Sequence, residues 1–395
     1  MANKLHYFNP GHETAVLHGK VNYTPSKTVS KMMQDLAFLP VWYSEPGDVV
    51  LVNREEERSF FRELPGFIRP DVKLICLEEL PHFRYREILQ FEPWGLTPSV
   101  LHEFKGLNKQ LQIPDWKKEY TYLTGRMAAI EVLKKIKKKL PTYSFPVLPA
   151  VFTKEEEVTS LLTLSPQIIK SPYSSSGRGL LWIKDGKLSV KDSEWIRGTL
   201  KKQQFLSIEP ALDKIQDFAL EFYSDGKGNV QYRALSLFQT WEKGAYEGNC
   251  LGGEKEFLQQ VYHEIGEETY QSIKEHVIEA LEEVYAYNYT GYLGVDMMLY
   301  KREDGLVGIH PCVEVNMRHT MGLLASCFYE KNVLPASKGK FYITYEGENG
   351  SAYRQHIEAQ KNHPLVWEKD RIKRGYLALC PVDPETQYRA YIQME

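Results

Sequence analysis

The chain has 395 residues, and its 43% hydrophobic and 26% charged content is that of a soluble globular protein. That length exceeds one ordinary core, so two or three packed domains are expected. A net charge of −3 supplies no strong field for nucleic acid or an anionic membrane, so neither is expected as a partner. Cys76, Cys250, Cys312, Cys327 and Cys380 show no close paired spacing, which argues against a zinc ribbon or a disulfide framework and fits a reducing compartment. Residues Met1–Glu13 contain no apolar signal segment, and no apolar run reaches the roughly 18 residues of a membrane span, so a cytoplasmic chain is expected.

In chain order, residues 1–115 read as a small α/β domain. Leu5–Phe8, Asp48–Asn53 and Val72–Leu77 are predicted strands, with a polar turn at Asn9–Glu13 and a helix over Ser26–Leu39. In residues 116–203, Thr124 is expected to cap a helix over 125–140, with Met127, Ile130, Leu133 and Ile136 at helical spacing. The basic run Lys134–Lys139 is one exposed flank of it, and Pro141 and Pro146 end it. Val147–Phe152 is a predicted strand and Lys154–Leu162 a short helix. Residues 204–395 begin with strands at Gln204–Ile208, Phe218–Ser224 and Val230–Phe238. A helix over 267–287 follows, burying Ile273, Val277, Leu281, Val284 and Tyr285. Beyond Gly322 come a helix and two strands, Phe341–Tyr345 and Tyr376–Leu379.

Two segments carry chemistry. In the first, the apolar pair Ile168–Ile169 ends a strand, Lys170 follows at once, and Ser174, Ser175, Ser176, Gly177, Arg178 and Gly179 form a loop before a strand at Leu180–Ile183. Glycine lets a backbone approach a ligand closely. Successive N–H groups and hydroxyls can cradle phosphate oxygens, and Lys170 adds a point charge. A plain hairpin tip would share this composition. The stretch is neither a Walker A loop nor a dinucleotide fingerprint, because neither GK[ST] nor GxGxxG is present.

The second segment, 291–322, reads as two strands around a turn. Alternation puts Asp296 on a face with Gly294 and Met298, and Glu314 on a face with Asn316, away from Val313 and Val315. Asp296 and Glu314 are equidistant from Gly305, so a hairpin centred there sets them opposite each other. Two carboxylates and an amide on one face repel unless a cation lies between them, and hard oxygen donors of this kind suit Mg²⁺. A solvated acidic face is the plainer alternative.

In this order, the two segments resemble the ATP-grasp superfamily over roughly residues 124–324. The resemblance implies an α/β (α+β) fold: an N-terminal α/β domain (1–115), an ATP-grasp middle subdomain with the phosphate loop (116–203), and a C-terminal subdomain with the metal site (204–395). It implies ATP held by Lys170 and the Ser174–Gly179 loop, by Arg126 on the phosphates, by Glu209 and the backbone near Ala211 beside adenine, and by Asp217 on the ribose, with Glu221 as a rival. It implies Mg²⁺ (or Mn²⁺) on Asp296, Glu314 and Asn316. Arg318 extends that last motif to Glu-x-Asn-x-Arg, a form seen in the carboxylase and carbamoyl-phosphate branches. Arg318 and Lys170 are the implied catalytic residues, and Lys243–Gly253 corresponds to a mobile loop over the substrate. An arginine two residues before the hairpin aspartate, usual in peptide ligases, is replaced here by Gly294. The implied activity is ADP-forming ligation of small-molecule carboxylate and amine (or thiol) substrates through an acyl-phosphate. A kinase on the same fold and a non-catalytic nucleotide-binding regulator are the alternatives.

Overall fold

Five short apolar runs near the N-terminus become parallel strands: β1 (Lys4–Tyr7), β2 (Val49–Val52), β3 (Lys73–Cys76), β4 (Leu89–Pro93) and β5 (Leu111–Gln112), in the order β3-β2-β1-β4-β5. The computed structural model describes residues 3–174, 177, 179–241 and 244–395. Every residue of β2 is buried, as expected of a parallel strand covered on both faces. Ser26 caps the helix Lys27–Asp35, its Oγ accepting from the Val29 N–H at 3.3 Å. That helix is shorter than its sequence pattern. Leu36 leaves the helical region at φ −113°, ψ 15°, and a 3₁₀ turn, Leu39–Trp42, follows with Pro40 in its first turn.

The chain divides into two units. The first comprises residues 1–116, 247–257 and 318–395; the second comprises 117–246 and 258–317. Within the second, β6 (Ala150–Phe152), β7 (Gln167–Lys170), β8 (Leu180–Ile183) and β9 (Leu206–Pro210) form an antiparallel sheet in the order β6-β9-β7-β8. Phe152, Ile169, Ile183, Leu206 and Ile208 meet Val158 and Ile196 of the helices Glu155–Leu161 and Val190–Gln203 in its core. The longer helix, capped reciprocally by Ser189 and Asp192, was not evident from the sequence pattern.

The chain continues through β10 (Asp213–Asp225), β11 (Val230–Thr240), β12 (Tyr246–Leu251), β13 (Thr290–Lys301) and β14 (Val307–Asn316). In the second unit, four of these lie in the order β14-β13-β10-β11. The helices Arg126–Lys139 and Glu267–Val284 pack with them, burying Val132, Leu133 and Ile136 from one and Ile273, Val277, Leu281 and Val284 from the other. Thr124 does not cap the first of these. It ends a preceding helix, Glu119–Thr124, and Gly125 occupies the N-cap position without a side-chain bond.

The first unit takes up β12 from Glu247 onward together with β15 (Gly339–Tyr345), β16 (Val366–Glu368), β17 (Arg371–Ala378) and β18 (Tyr388–Met394), in the order β12-β15-β18-β17-β16. The segment read as a substrate loop is therefore largely a strand: Asn249 pairs with Phe341 and is 2% exposed, and Lys243 lies outside the described residues. Asp35 secures this sheet, accepting from the Gln387 and Tyr388 N–H groups at 2.9 Å each. Among the described residues, no helix is long and apolar enough to cross a membrane.

Candidate functional site

In the second unit β13 and β14 pair so that Asp296 faces Glu314 and Gly294 faces Asn316. On the other side of β13, Asp296 faces Ala219 and Gly294 faces Glu221 of β10; β11 then sets Ser236 beside Ala219 and Ala234 beside Glu221. Directly paired residues share a face. One face thus carries the row Ser236–Ala219–Asp296–Glu314 next to the row Ala234–Glu221–Gly294–Asn316. The small residues at 219, 234 and 294 that lie among the acids are themselves buried. Glu221 is 2% exposed and accepts from the Ser236 hydroxyl at 3.3 Å.

Asp296, Glu314 and Asn316 offer hard oxygen donors, the chemistry Mg²⁺ takes when substrate phosphates complete its shell. They contribute two carboxylates and one amide. Among the described residues, no group of three or more His, Cys, Asp or Glu is gathered around a metal position.

Arg126 connects this strand to the base of the lysine loop. At the first position of its helix, it is 7% exposed. Its Nε donates to the Ser171 carbonyl and its Nη1 to the Val313 carbonyl, both at 3.3 Å, while Nη2 lies 3.7 Å from Glu314 Oε1. Its backbone N–H donates to the Pro172 carbonyl at 3.1 Å.

Lys170 ends β7. Ile168 pairs with Glu209 and Lys170 with Ser207, so the lysine and the glutamate share a face as diagonal neighbours, and their side chains form an ion pair. Burial works against the Glu209 charge, but Lys170, ahead of Arg126, holds its carboxyl below the usual range. His310, on β14 four residues before Glu314, was missed in the sequence; carrying the alternation one turn of the pleat further would have found it. Burial pushes its ring down to about 4, against the attraction of Glu209, so it stays neutral beside Lys170.

The remaining sequence candidates fall as follows. Ser174 and Gly179 close the base of the loop, where the Ser171 N–H donates to the Gly179 carbonyl at 2.9 Å. A Cβ at Gly179 would collide with Ser171 and Ser174, and one at Gly177 (φ +72°) would come within 2.8 Å of the Gly244 backbone, so both positions require glycine. Ser175, Ser176 and Arg178 lie outside the described residues. The Ala211 N–H is committed to the Pro166 carbonyl at 2.9 Å. Asp217 accepts from Lys214 at 2.6 Å and from the Thr240 hydroxyl at 2.8 Å. Arg318 belongs to the first unit, where its Nε donates to Glu13 Oε1 at 2.7 Å and its Nη1 to the His319 carbonyl at 3.2 Å.

No family model matches this sequence, and no curated protein matches it. Solved structures do. A biotin carboxylase from Campylobacter jejuni, in complex with an ATP analogue, is similar at TM-score 0.54 and 11% identity over 99% of this chain and 87% of its own. The biotin carboxylase domain of a 2-oxoglutarate carboxylase from Hydrogenobacter thermophilus, solved with ADP, magnesium and bicarbonate, is similar at TM-score 0.51 and 12% identity over 100% and 87%. The chain has the ATP-grasp fold, a mixed α/β architecture.

Proposed function

We propose that this chain is an ATP-dependent carboxylate ligase that forms ADP, most readily a carboxylate-amine ligase. The observation that carries the reading is the acidic face of the second unit, with Asp296 opposite Glu314, Asn316 in the adjoining row and Arg126 running from Glu314 to the base of the Lys170 loop.

In this reading Lys170 and the loop base at Ser174 and Gly179, with the rest of the Ser174–Gly179 segment, receive the ATP phosphates, and Arg126 adds fixed positive charge. Asp296, Glu314 and Asn316 would hold Mg²⁺ (or Mn²⁺), which when bound supplies charge neutralisation to the phosphates. Glu209 and the chain near Ala211 lie along adenine, and Asp217 or Glu221 takes the ribose hydroxyls. A carboxylate of the substrate attacks the γ-phosphate and ADP leaves. The resulting acyl-phosphate is then open to an amine (or thiol), which releases phosphate. No protein nucleophile is required. The protein's work is positioning and charge stabilisation. Arg318 enters through the Glu-x-Asn-x-Arg pattern, as charge for the transferring phosphoryl group.

The test is a screen of paired small acids and amines for substrate-dependent ADP release. With a productive pair, oxygen-18 in the carboxylate should appear in the released phosphate. AMP and pyrophosphate as products would overturn the mechanism, and a stable phosphorylated product without free phosphate would make the chain a kinase.

A further inference from the structure

The N-terminal sheet of the first unit has a feature that the ATP chemistry leaves unused. Its strand order, β3-β2-β1-β4-β5, runs outward from β1 in one direction and then returns to add β4 and β5 on the other side. In open parallel sheets, ligands bind outside the carboxyl ends of the strands at such a reversal. A cavity of about 440 Å³ lies there, lined by Tyr7 at the end of β1, Asn53 just past β2 and Thr97 shortly after β4.

The turn Asn9–His12 forms part of its lining. Asn9 holds Gly95 by two hydrogen bonds, its Nδ2 donating to the Gly95 carbonyl at 2.8 Å and its Oδ1 accepting from the Gly95 N–H at 3.2 Å. Gly95 must be glycine, because a Cβ there would come within 2.7 Å of the His12 ring. Gly11, at φ +82°, starts the turn of helix that carries His12. His12 is 1% exposed, and neither ring nitrogen makes a hydrogen bond. Burial lowers its pKa to about 4, so the His12 ring is neutral there.

Charge then selects the ligand. Among the described residues no lysine or arginine lines the cavity, and Glu103, an exposed residue whose carboxyl is raised by its partial burial, is the one acid that does. A phosphate or carboxylate would meet a carboxylate and no cation. A dinucleotide would also lack its glycine-rich turn, since Pro10 has no N–H to offer. The rings of Tyr7 and Tyr23 add π faces to the wall, and burial, followed by the nearby Glu103, keeps the Tyr7 hydroxyl protonated. An ammonium group brings donors only and one positive charge. It matches a cavity lined by one carboxylate and two tyrosines.

We propose that this cavity binds a small metabolite through its primary ammonium group, with Glu103 as the counter-charge. The claim concerns binding in the first unit, measured without ATP, and so stands or falls apart from the ligase reading. The test uses the full chain with butylamine, butanol and butyrate, which share one carbon skeleton, followed by ligand-observed NMR. Wild type should bind the amine over the alcohol and the acid. Glu103→Gln should lose that preference by about fivefold, the ceiling for an exposed ion pair, and Glu103→Lys should turn it toward butyrate. Glu103 is on the surface, and an unchanged circular dichroism spectrum will verify that the variants fold. Acid or alcohol binding to wild type as well as the amine, an amine preference that survives Glu103→Gln, or no binding by any of the three would each overturn the proposal.

Discussion

Asp296 and Glu314 stand directly opposite each other on adjacent antiparallel strands, with Arg126 3.7 Å from the glutamate. Like charges so placed destabilise a sheet by about 0.2–1 kcal/mol. If the pair exists to hold a cation, removing one charge should help the metal-free protein and harm the liganded one. Asp296→Asn is therefore expected to raise the unfolding midpoint without nucleotide and to abolish the further rise that MgATP gives wild type. Thermal unfolding with and without MgATP checks both halves. Full MgATP stabilisation in the variant would remove Asp296 from the metal site.

The Arg318–Glu13 pair makes a different demand. Burial opposes the charge on Glu13, but Arg318, through its charge and its hydrogen bond, holds its carboxyl below the usual range. Arg318→Met would leave a buried carboxylate without its counter-charge, a loss of order 3 kcal/mol at neutral pH. The sign with pH follows. In wild type the pair's contribution is present above the unfolded glutamate pKa and is lost as pH falls through the lower folded value. In the variant, burial alone raises that pKa, and protonation relieves the penalty. The stability gap between the two proteins should narrow steadily on acidification, as read by urea unfolding at several pH values. A gap independent of pH would show that Glu13 does not depend on Arg318.

What the sequence revealed and what it hid have physical causes. Alternation made the face of Asp296, Glu314 and Asn316 legible, but the turn alone does not set the pair: from Lys301 opposite Val307 to Met298 opposite His310 the register would bring Asp296 to Cys312. The bulge between Asp296 and Met298 shifts it by two residues, and through that shift Asp296 meets Glu314. Strand β12 was hidden because Tyr246–Leu251 lacks apolar alternation and becomes a strand through pairing with β15, about 90 residues away. The helix Val190–Gln203 was hidden because Ile196 is its one fully buried residue, too little for a stripe. Partnerships across long stretches of chain, such as Trp42 Nε1 donating to the Leu379 carbonyl at 2.7 Å or Arg318 meeting Glu13, leave no local mark at all. Lys170 and Glu209 were each legible as candidates, but their mutual ion pair required the register of β7 on β9.

That ion pair separates a structural role from a ligand-binding one. Lys170→Met strands Glu209 in a buried site and should cost about 3 kcal/mol of stability. Lys170→Met with Glu209→Gln removes both charges and should recover most of the loss. ATP affinity should not recover, because the phosphate-side cation is still missing. Chemical unfolding and calorimetric ATP titration on the two variants and Glu209→Gln complete the cycle. Recovery of ATP binding in the double variant would mean that Lys170 serves only to neutralise Glu209.

Acid should weaken the fold before its carboxylates titrate. His12, His310 and His356 are each pushed by burial from 6.5 to about 4, and burial holds His319 well below the usual range too. Between those values the unfolded chain takes up protons that the folded one refuses, so stability falls as pH falls, by up to about 1.4 kcal/mol per pH unit for each ring. The depressed carboxyls of Glu13, Asp48 and Glu209 act lower, below their unfolded pKa values near about 4. The window from about pH 5 to 6.5 therefore lies above those depressed carboxyls, while the carboxyls that burial raises, Glu57, Glu103 and Glu330, work against the histidine slope from its acid side. His310→Gln lowers stability at every pH by whatever its packing costs, but it should also flatten the slope in this window, by about a quarter if the four rings contribute equally. Urea unfolding across the window reads the slope directly. A slope unchanged by His310→Gln would mean that the ring beside Lys170 and Glu209 is already protonated in the folded protein, and the site would then carry one positive charge more than the neutral imidazole allows.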